Sequence, residues 1–433
     1  MARRAREVHS ERRRRRSSSW YGPVRPEFSG SNEARLLRGG DALFPQMQEA
    51  IDHARNEVWL ATYIFHRDAA AETLLASLLA AAQRGVRVRI VVDGFGSLAS
   101  IPWLLEATQG TTVALAIFRP IGRWWNWLQP GQLRRLHQKL CVVDGERAFV
   151  GGINIIDDRI DLRHGPGDAP RLDFAADLRG AVVEPIEQAA RAVWSRAWLG
   201  RDFGEELLAV VRSPEPIRRM RRLLRRLRMP RGDGRTGIGL GLAPMCAAFV
   251  LRDNLRQRRT IEHAYIEAIE SARTSVDLIT PYFYPGQSFR RALRQAAKRG
   301  VRVRLLLQGK VDYLLAGMAA HALYAELLGH GVQIFEYTAS WLHAKVAVVD
   351  GRWATVGSSN IDPLSLLLNL EANVIVLDDD FAADLEREFE RALADSVQVK
   401  ESGGSGWRGV LSRAAVAWVA YVYLRVAGAA GRY

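Results

Sequence analysis

The sequence predicts an α/β protein built from two similar halves. Each half is a mixed β-sheet flanked by helices. The halves are related by a pseudo-twofold axis and share one active site at their interface. Three observations predict this. First, Leu136-His137-Gln138-Lys139-Leu140-Cys141-Val142-Val143-Asp144, followed by Gly151-Gly152-Ile153-Asn154, recurs as Leu342-His343-Ala344-Lys345-Val346-Ala347-Val348-Val349-Asp350, followed by Gly357-Ser358-Ser359-Asn360. His and Asn keep one offset between copies, 206 residues. Second, Ala82-Gln83-Arg84-Gly85-Val86-Arg87-Val88-Arg89-Ile90 recurs as Ala297-Lys298-Arg299-Gly300-Val301-Arg302-Val303-Arg304-Leu305. Each reads as a helix end, a glycine stop and a strand. Third, apolar strands precede these units (Val58 to Phe65, Val276 to Phe283) and follow them (Val113 to Phe118, Val332 to Tyr337). Strands that alternate with helices and end in a hairpin indicate a mixed sheet covered by helices.

Strand geometry accounts for the spacing in the repeated motif. His137 and Lys139, two apart, share one face of a strand, and Cys141 and Val143 carry that face into the core. Asp144-Gly145 and Asp350-Gly351 read as hairpin turns. Ala148-Phe149-Val150 and Thr355-Val356 return along the first strand and bring Asn154 and Asn360 beside the histidines. Asp144 lies roughly 20 Å along the strand from His137. Asp144 and Asp350 belong to the motif that defines the catalytic set, but this distance gives them a structural part at the turn. Lys139 and Lys345 can neutralise a phosphodiester, and Asn154 and Asn360 can donate hydrogen bonds to its oxygens. Gly151, Gly152, Gly357 and Ser358, with Ser359 beside them, allow close approach of substrate to backbone.

These residues resemble the His-Lys-Asp motif of the phospholipase D superfamily. His343-Ala344-Lys345, Ala354 to Pro363 and Asn369-Leu370-Glu371-Ala372-Asn373 are similar to the short, cardiolipin synthase B type of bacterial enzyme, and the likeness extends more weakly over roughly residues 33 to 400. The resemblance implies a carboxylate downstream of each copy that hydrogen-bonds a catalytic histidine. Glu371 matches it well; Asp173 matches it across a longer loop, with Asp177 as its rival. It also implies His137 as nucleophile and His343 as general acid and base, an order that the symmetry of the sequence leaves open. Two histidines suit displacement at phosphorus with no metal and no cofactor. His9, His53, His66, His263, His321 and His330 read as incidental, and so does His164, the one whose loop position before Asp173 offers it a place at the mouth.

The 433 residues suit two domains with full cores. The expected organisation is a basic disordered N-terminus (1–30), a first domain (31–212), an Arg-rich amphipathic linker (213–245), a second domain (246–400) and an apolar membrane-interacting tail (401–433). The formal charge is +14. In the linker, Ile217, Met220, Leu223, Leu224 and Leu227 share one helical face among arginines, a pattern suited to anionic lipid. From Phe118 to His137 is 19 positions, against 8 from Phe335 to His343. The extra segment holds Trp124, Trp125 and Trp127 with flanking arginines, which reads as an interfacial anchor or a core cap. Arg413 and Arg425 interrupt the tail's apolar run, so it reads as interfacial rather than spanning. No apolar signal follows the N-terminal arginines, as in the short family type. Cys141 and Cys246 do not suggest a disulfide framework.

The resemblance implies a phosphatidyltransferase that joins two phosphatidylglycerols into cardiolipin and glycerol, with phosphatidylethanolamine as an alternative donor. The expected partner is an anionic phospholipid membrane, bound peripherally on the cytoplasmic face, with no specific nucleic acid. A hydrolytic phospholipase D, a superfamily nuclease and a non-catalytic scaffold are the competing readings. Oligomeric state is open.

Overall fold

The structure is a computed structural model. It describes residues 25–121, 134–162, 165–167, 169–211, 218, 245–253, 257–310, 324–361 and 369–400. The Trp segment, almost all of the Arg-rich linker, the C-terminal tail, His9, His164 and His321 lie outside the described residues.

The first half runs β1 (Asn32–Arg38), α1 (Gly39–Asp52), β2 (Glu57–Thr62), α2 (Ala69–Gln83), β3 (Arg87–Asp93), α3 (Ile101–Thr108), β4 (Ala114–Phe118), β5 (Leu140–Val143), β6 (Arg147–Gly151), the short pair β7 (Ile160–Asp161) and β8 (Gly165–Pro166), β9 (Phe174–Gly180) and α4 (Val183–Val211). The second runs β10 (Cys246–Arg252), α5 (Thr260–Ser271), β11 (Ser275–Thr280), α6 (Gln287–Lys298), β12 (Arg302–Gln308), β13 (Gln333–Tyr337), β14 (Val346–Val349), β15 (Trp353–Gly357), β16 (Glu371–Leu377), α7 (Asp379–Ala394) and β17 (Ser396–Gln398). The sheets are ordered β1-β9-β6-β5-β2-β3-β4 and β10-β16-β15-β14-β11-β12-β13-β17. Strand for strand the orders correspond, and β17 extends the second sheet. In each sheet three strands are parallel (β2-β3-β4, β11-β12-β13), the first hairpin strand (β5, β14) runs against them, and the second (β6, β15) runs against the first.

Local chemistry fixes the element ends. Asp68 and Asp378 cap α2 and α7 by accepting from Ala71 N (2.9 Å) and Phe381 N (2.8 Å). Gly85 and Gly300 follow α2 and α6 at φ 91° and 89°, where an L side chain would be strained. Asp144-Gly145 and Asp350-Gly351 have positive φ at both positions (53° and 68°, 53° and 62°), as a type I′ hairpin turn requires.

Three hydrophobic clusters build the interior. One packs α1 and α2 on the first sheet, with Leu74, Leu78, Ile90, Cys141 and Phe149. Another packs α5 and α6 on the second sheet, with Ile269, Phe289, Leu293 and Leu305. The third lies between the sheets. It joins Leu136, Val142, Val150 and Phe174 to Leu342, Val346, Val356 and Val374, with Ile186 of α4 and Leu385 and Phe389 of α7. Alternation explains the division: Cys141 and Val143 face the outer helices, while Leu140 and Val142 face the other half. The inter-half core is continuous, so the halves form one packed body.

One expectation needs correction. Disorder over 1–30 does not extend to 25–30, because Ser29 bridges Ala247 of β10, Phe28 packs on the second half's core and Arg25 pairs with Glu267 at 3.3 Å. Cys141 and Cys246 are both free and buried. Among the described residues, no helix is long and apolar enough to cross a membrane.

Candidate active site

The strand expected to carry His137 and Lys139 begins later, at Leu140. Residues 136–139 continue it as extended chain but pair with the other half. Leu136 bridges Leu370 in parallel, and His137 N donates to Leu370 O at 3.0 Å. The second half does the same: Leu342 bridges Leu172, and His343 N donates to Leu172 O at 2.9 Å. These crossed bridges are exchanged by the pseudo-twofold axis, and they bring both histidine segments to one place.

The crossing decides which carboxylate meets which ring. His137 Nδ1 donates to Glu371 Oε2 at 3.0 Å, and His343 Nδ1 donates to Asp173 Oδ2 at 2.6 Å. Each histidine is thus held by a carboxylate of the opposite half. Asp173 Oδ1 also accepts from its neighbour's Phe174 N at 2.8 Å, and Glu371 Oε2 from Ser358 Oγ at 2.6 Å. The rival Asp177 is committed elsewhere, in a two-armed pair with Arg147 at 2.9 and 2.8 Å. With Nδ1 occupied on both rings, Nε2 is the atom left for chemistry. The histidine side chains are 13% and 24% exposed, whereas the carboxylates beneath them are sealed from solvent.

Lys139 Nζ donates to His137 O at 2.7 Å, and Lys345 Nζ donates to His343 O. Both lysines are buried. Burial, together with Lys345, pushes Lys139 down to about 7, although Glu371 and Asp173 oppose this. Burial pushes Asp173 up to about 7 against the pull of Lys345. Burial and the cations Lys345, Arg171 and Lys139 hold His343 well below histidine's usual value. Burial lowers His137 too, opposed there by Glu371. Glu371 stays below its ordinary value despite burial, because His137, Lys139 and Ser358 stabilise its charge. Two buried lysines, each bonded to the backbone carbonyl of a histidine, favour a bound anion such as a phosphodiester, whose charge in turn favours the protonated form of Lys139.

Asn154 and Asn360 follow the hairpin strands and are buried. Asn154 Oδ1 accepts from Ile64 N at 3.2 Å, next to the Tyr63 that packs on His137. Asn360 Oδ1 is buried without a hydrogen-bond partner, and Ser359 Oγ donates to Asn360 O at 3.3 Å. The small residues are sterically required. A Cβ on Gly152 would stand 2.3 Å from Asp173 Oδ1, and one on Gly357 would stand 2.2 Å from the Asn373 side chain.

Asp144 and Asp350 are not at this centre. Asp144 accepts from the backbone N–H groups of Arg55, Asn56 and Glu57, each at 2.8 Å. Asp350 accepts from those of Arg273, Thr274 and Ser275 at 2.7–3.1 Å. Both carboxylates tie the far end of the hairpin to the loop before the central strand. Their place in the motif is structural, and in that sense they leave the catalytic set.

Sequence reasoning missed several residues. Asp93 Oδ2 accepts from Leu136 N at 2.9 Å, and in the other half Gln308 Oε1 accepts from Leu342 N at 2.6 Å. They end β3 and β12 at matching positions and brace the residue before each histidine. The repeat of β3 as β12 could have located this position; the change from Asp to Gln hid it. Tyr63 packs on His137 with centroids 5.0 Å apart, and Lys139 Nζ lies 5.5 Å from the same ring. Among the described residues no group of His, Cys, Asp and Glu side chains is placed to hold a metal ion.

The comparisons agree with this geometry. The family model described as "Cardiolipin synthase, PLD-like domain" matches residues 47–164 and 265–393, more than half of the chain. Cardiolipin synthase B of Escherichia coli (strain K12) is 36% identical over 372 residues, covering 86% of this chain and 83% of that protein. Cardiolipin synthase B of Salmonella typhi is 38% identical over 371 residues, covering 85% and 80%. Among solved structures, phosphatidylserine synthase of Haemophilus influenzae superposes with a TM-score of 0.63 at 13% identity, covering 93% of this chain and 95% of that one, a likeness of fold alone. Two matching sheets, crossed histidine–carboxylate pairs and this sequence identity together place the chain in the cardiolipin synthase, PLD-like domain family of the phospholipase D superfamily.

Proposed function

We propose that the chain is a phosphatidyltransferase that makes cardiolipin from two phosphatidylglycerols. The observation that carries this is the pair of histidines, each positioned through Nδ1 by a carboxylate of the other half, above two buried lysines. His137 Nε2 attacks phosphorus of the first lipid, the phosphorus–oxygen bond to glycerol breaks, and His343 gives its proton to the departing oxygen. A second phosphatidylglycerol then brings its terminal hydroxyl. His343 takes that proton, the oxygen attacks phosphorus, and the phosphorus–nitrogen bond breaks. Lys139, Lys345, Asn154 and Asn360 hold the phosphoryl oxygens, where negative charge builds in both transition states.

The electrostatics suit these roles. Without substrate, burial and the cations keep His343 neutral. A bound phosphodiester offsets those cations and raises the affinity of His343 for a proton. The acid is therefore armed when the donor lipid arrives. His137 faces fewer cations, and Glu371 stabilises the charge that develops on its ring during attack.

In this reading the protein works at an anionic membrane surface, bound peripherally on its cytoplasmic face through the excess of basic residues, each worth about 1 kcal/mol near such a surface. The test is incubation with phosphatidylglycerol vesicles and mass spectrometry of the lipids, with His137→Ala and His343→Ala alongside. Cardiolipin and glycerol, absent in both variants, are expected. Phosphatidic acid as sole product would make the chain a hydrolase.

A further inference from the structure

The two halves match closely around the reacting centre, and they differ one pleat outward. Two residues before Asp173 stands Arg171; two residues before Glu371 stands Asn369. Residues two apart in an extended segment share a face. Arg171 therefore lies on the face that carries Asp173 towards His343. Its segment is fixed there: Leu172 N donates to Trp341 O at 2.8 Å, and Leu172 O accepts from His343 N and Ala344 N.

The Arg171 side chain is 11% exposed. Its Nη2 donates to Ile160 O at 2.8 Å and lies 3.9 Å from the Asp161 carboxylate, both on the β7–β8 hairpin. The hairpin thus holds the guanidinium in place with one carbonyl and a distant carboxylate, and its charge is felt at His343. Arg135, two residues before His137, is a different case. It donates to Arg119 O at 3.2 Å and faces Asp93 at 3.8 Å on the His137 side.

Resting on the phosphatidyl-transfer reading above, we propose that Arg171 binds the acceptor lipid's own phosphate, so that the site selects an anionic phospholipid over water or a neutral alcohol in the second half-reaction. Lys139 and Lys345 serve the phosphoryl group being transferred. An acceptor such as phosphatidylglycerol brings a second negative phosphate whose hydroxyl must reach His343. That phosphate needs its own cation beside His343, and a guanidinium fork matches phosphate oxygens. In the other half the equivalent residue, Asn369, is uncharged, and the fully buried Arg252 beside it donates to Asn369 O at 2.7 Å and to Arg258 O at 3.2 Å.

The test uses the full chain on phosphatidylglycerol vesicles with ethanol present, so that cardiolipin and phosphatidylethanol compete for one intermediate. Arg171→Gln lowers the cardiolipin-to-phosphatidylethanol ratio about tenfold, as expected for loss of one charge-assisted contact. An unchanged ratio, or both products falling by the same factor, overturns the proposal. A second measurement needs no variant: the wild type should use glycerol 3-phosphate as soluble acceptor with a KM at least about tenfold below that for glycerol, and equal KM values overturn it equally. Failure of the transferase reading looks different, because the wild type itself then makes no cardiolipin, and the Arg171 proposal falls with it.

Discussion

Gly152→Ala should disable the site while leaving the fold in place. The added Cβ would stand 2.3 Å from Asp173 Oδ1, and ordinary contact begins near 3.4 Å, so one of them must move by about 1.1 Å. Gly152 is fixed by its backbone bond to Phe174 O at 3.0 Å. The carboxylate has to give, and it is the group that holds His343 Nδ1 at 2.6 Å. A misplacement of about 1 Å in a catalytic constellation costs on the order of 100-fold in rate. Overpacking a buried site costs about 1–3 kcal/mol of stability. The assay is the initial rate of cardiolipin formation on phosphatidylglycerol vesicles, with the thermal midpoint measured on the same preparation. Gly85→Ala supplies the control. Gly85 sits at φ 91° with nothing within 4 Å of its Cβ, so the change strains the backbone by about 1–2 kcal/mol far from the histidines. Gly85→Ala should lose stability and keep its rate. Wild-type rate in Gly152→Ala, or equal rate losses in both variants, would refute the claim that Asp173 works by positioning His343.

Asp144→Ala removes the acceptor for three backbone N–H groups and should cost about 1–3 kcal/mol in urea unfolding, while the folded protein retains its specific activity; a folded but inactive variant would return Asp144 to the catalytic set. Lys139 sits at about 7, below its usual value, so it gains its proton as pH falls through 7. The contribution of Lys139 to stability without ligand is therefore full above the usual lysine value and declines as pH drops from there to about 7. Sulfate, whose charge is constant over this range, should raise the thermal midpoint more at pH 6 than at pH 8.5, and Lys139→Met should shrink that difference, leaving the part that comes from Asp173, which also gains its proton as pH falls through about 7; a pH-independent effect of sulfate would place the anion away from Lys139.

The duplication, the hairpin turns and the residues that meet at the centre were legible because a repeat with constant spacing constrains strand faces. Alternation put His137 with Lys139 and placed Asp144 at the turn. It left open where the strand proper begins, because residues 136–139 complete their pairing with residue 370 of the other half, across 234 positions. For the same reason the exchange of carboxylates was not legible. Periodicity states which residues share a face; it does not state which second face packs against them. Asp173 and Glu371 each follow one histidine in the chain and hold the other in space.

That exchange explains why a duplicated scaffold can divide its labour. A perfect twofold would give two histidines with identical surroundings, yet in-line displacement needs one ring without a proton and one with it. Here the shared frame supplies equal anchoring through Nδ1. The inequality comes in part from positions the repeat does not preserve. Tyr63 packs on His137 where the matching chain position, before Tyr282 and Phe283, is Pro281. Arg171 acts on His343 where the other half has Asn369. The stabilising frame can stay symmetric because each half buries the other's carboxylate, while Arg171 adds to the burial and the lysine charge that lower the proton affinity of His343. Asymmetry placed at Arg171 changes the charge near one histidine and leaves both buried pairs intact.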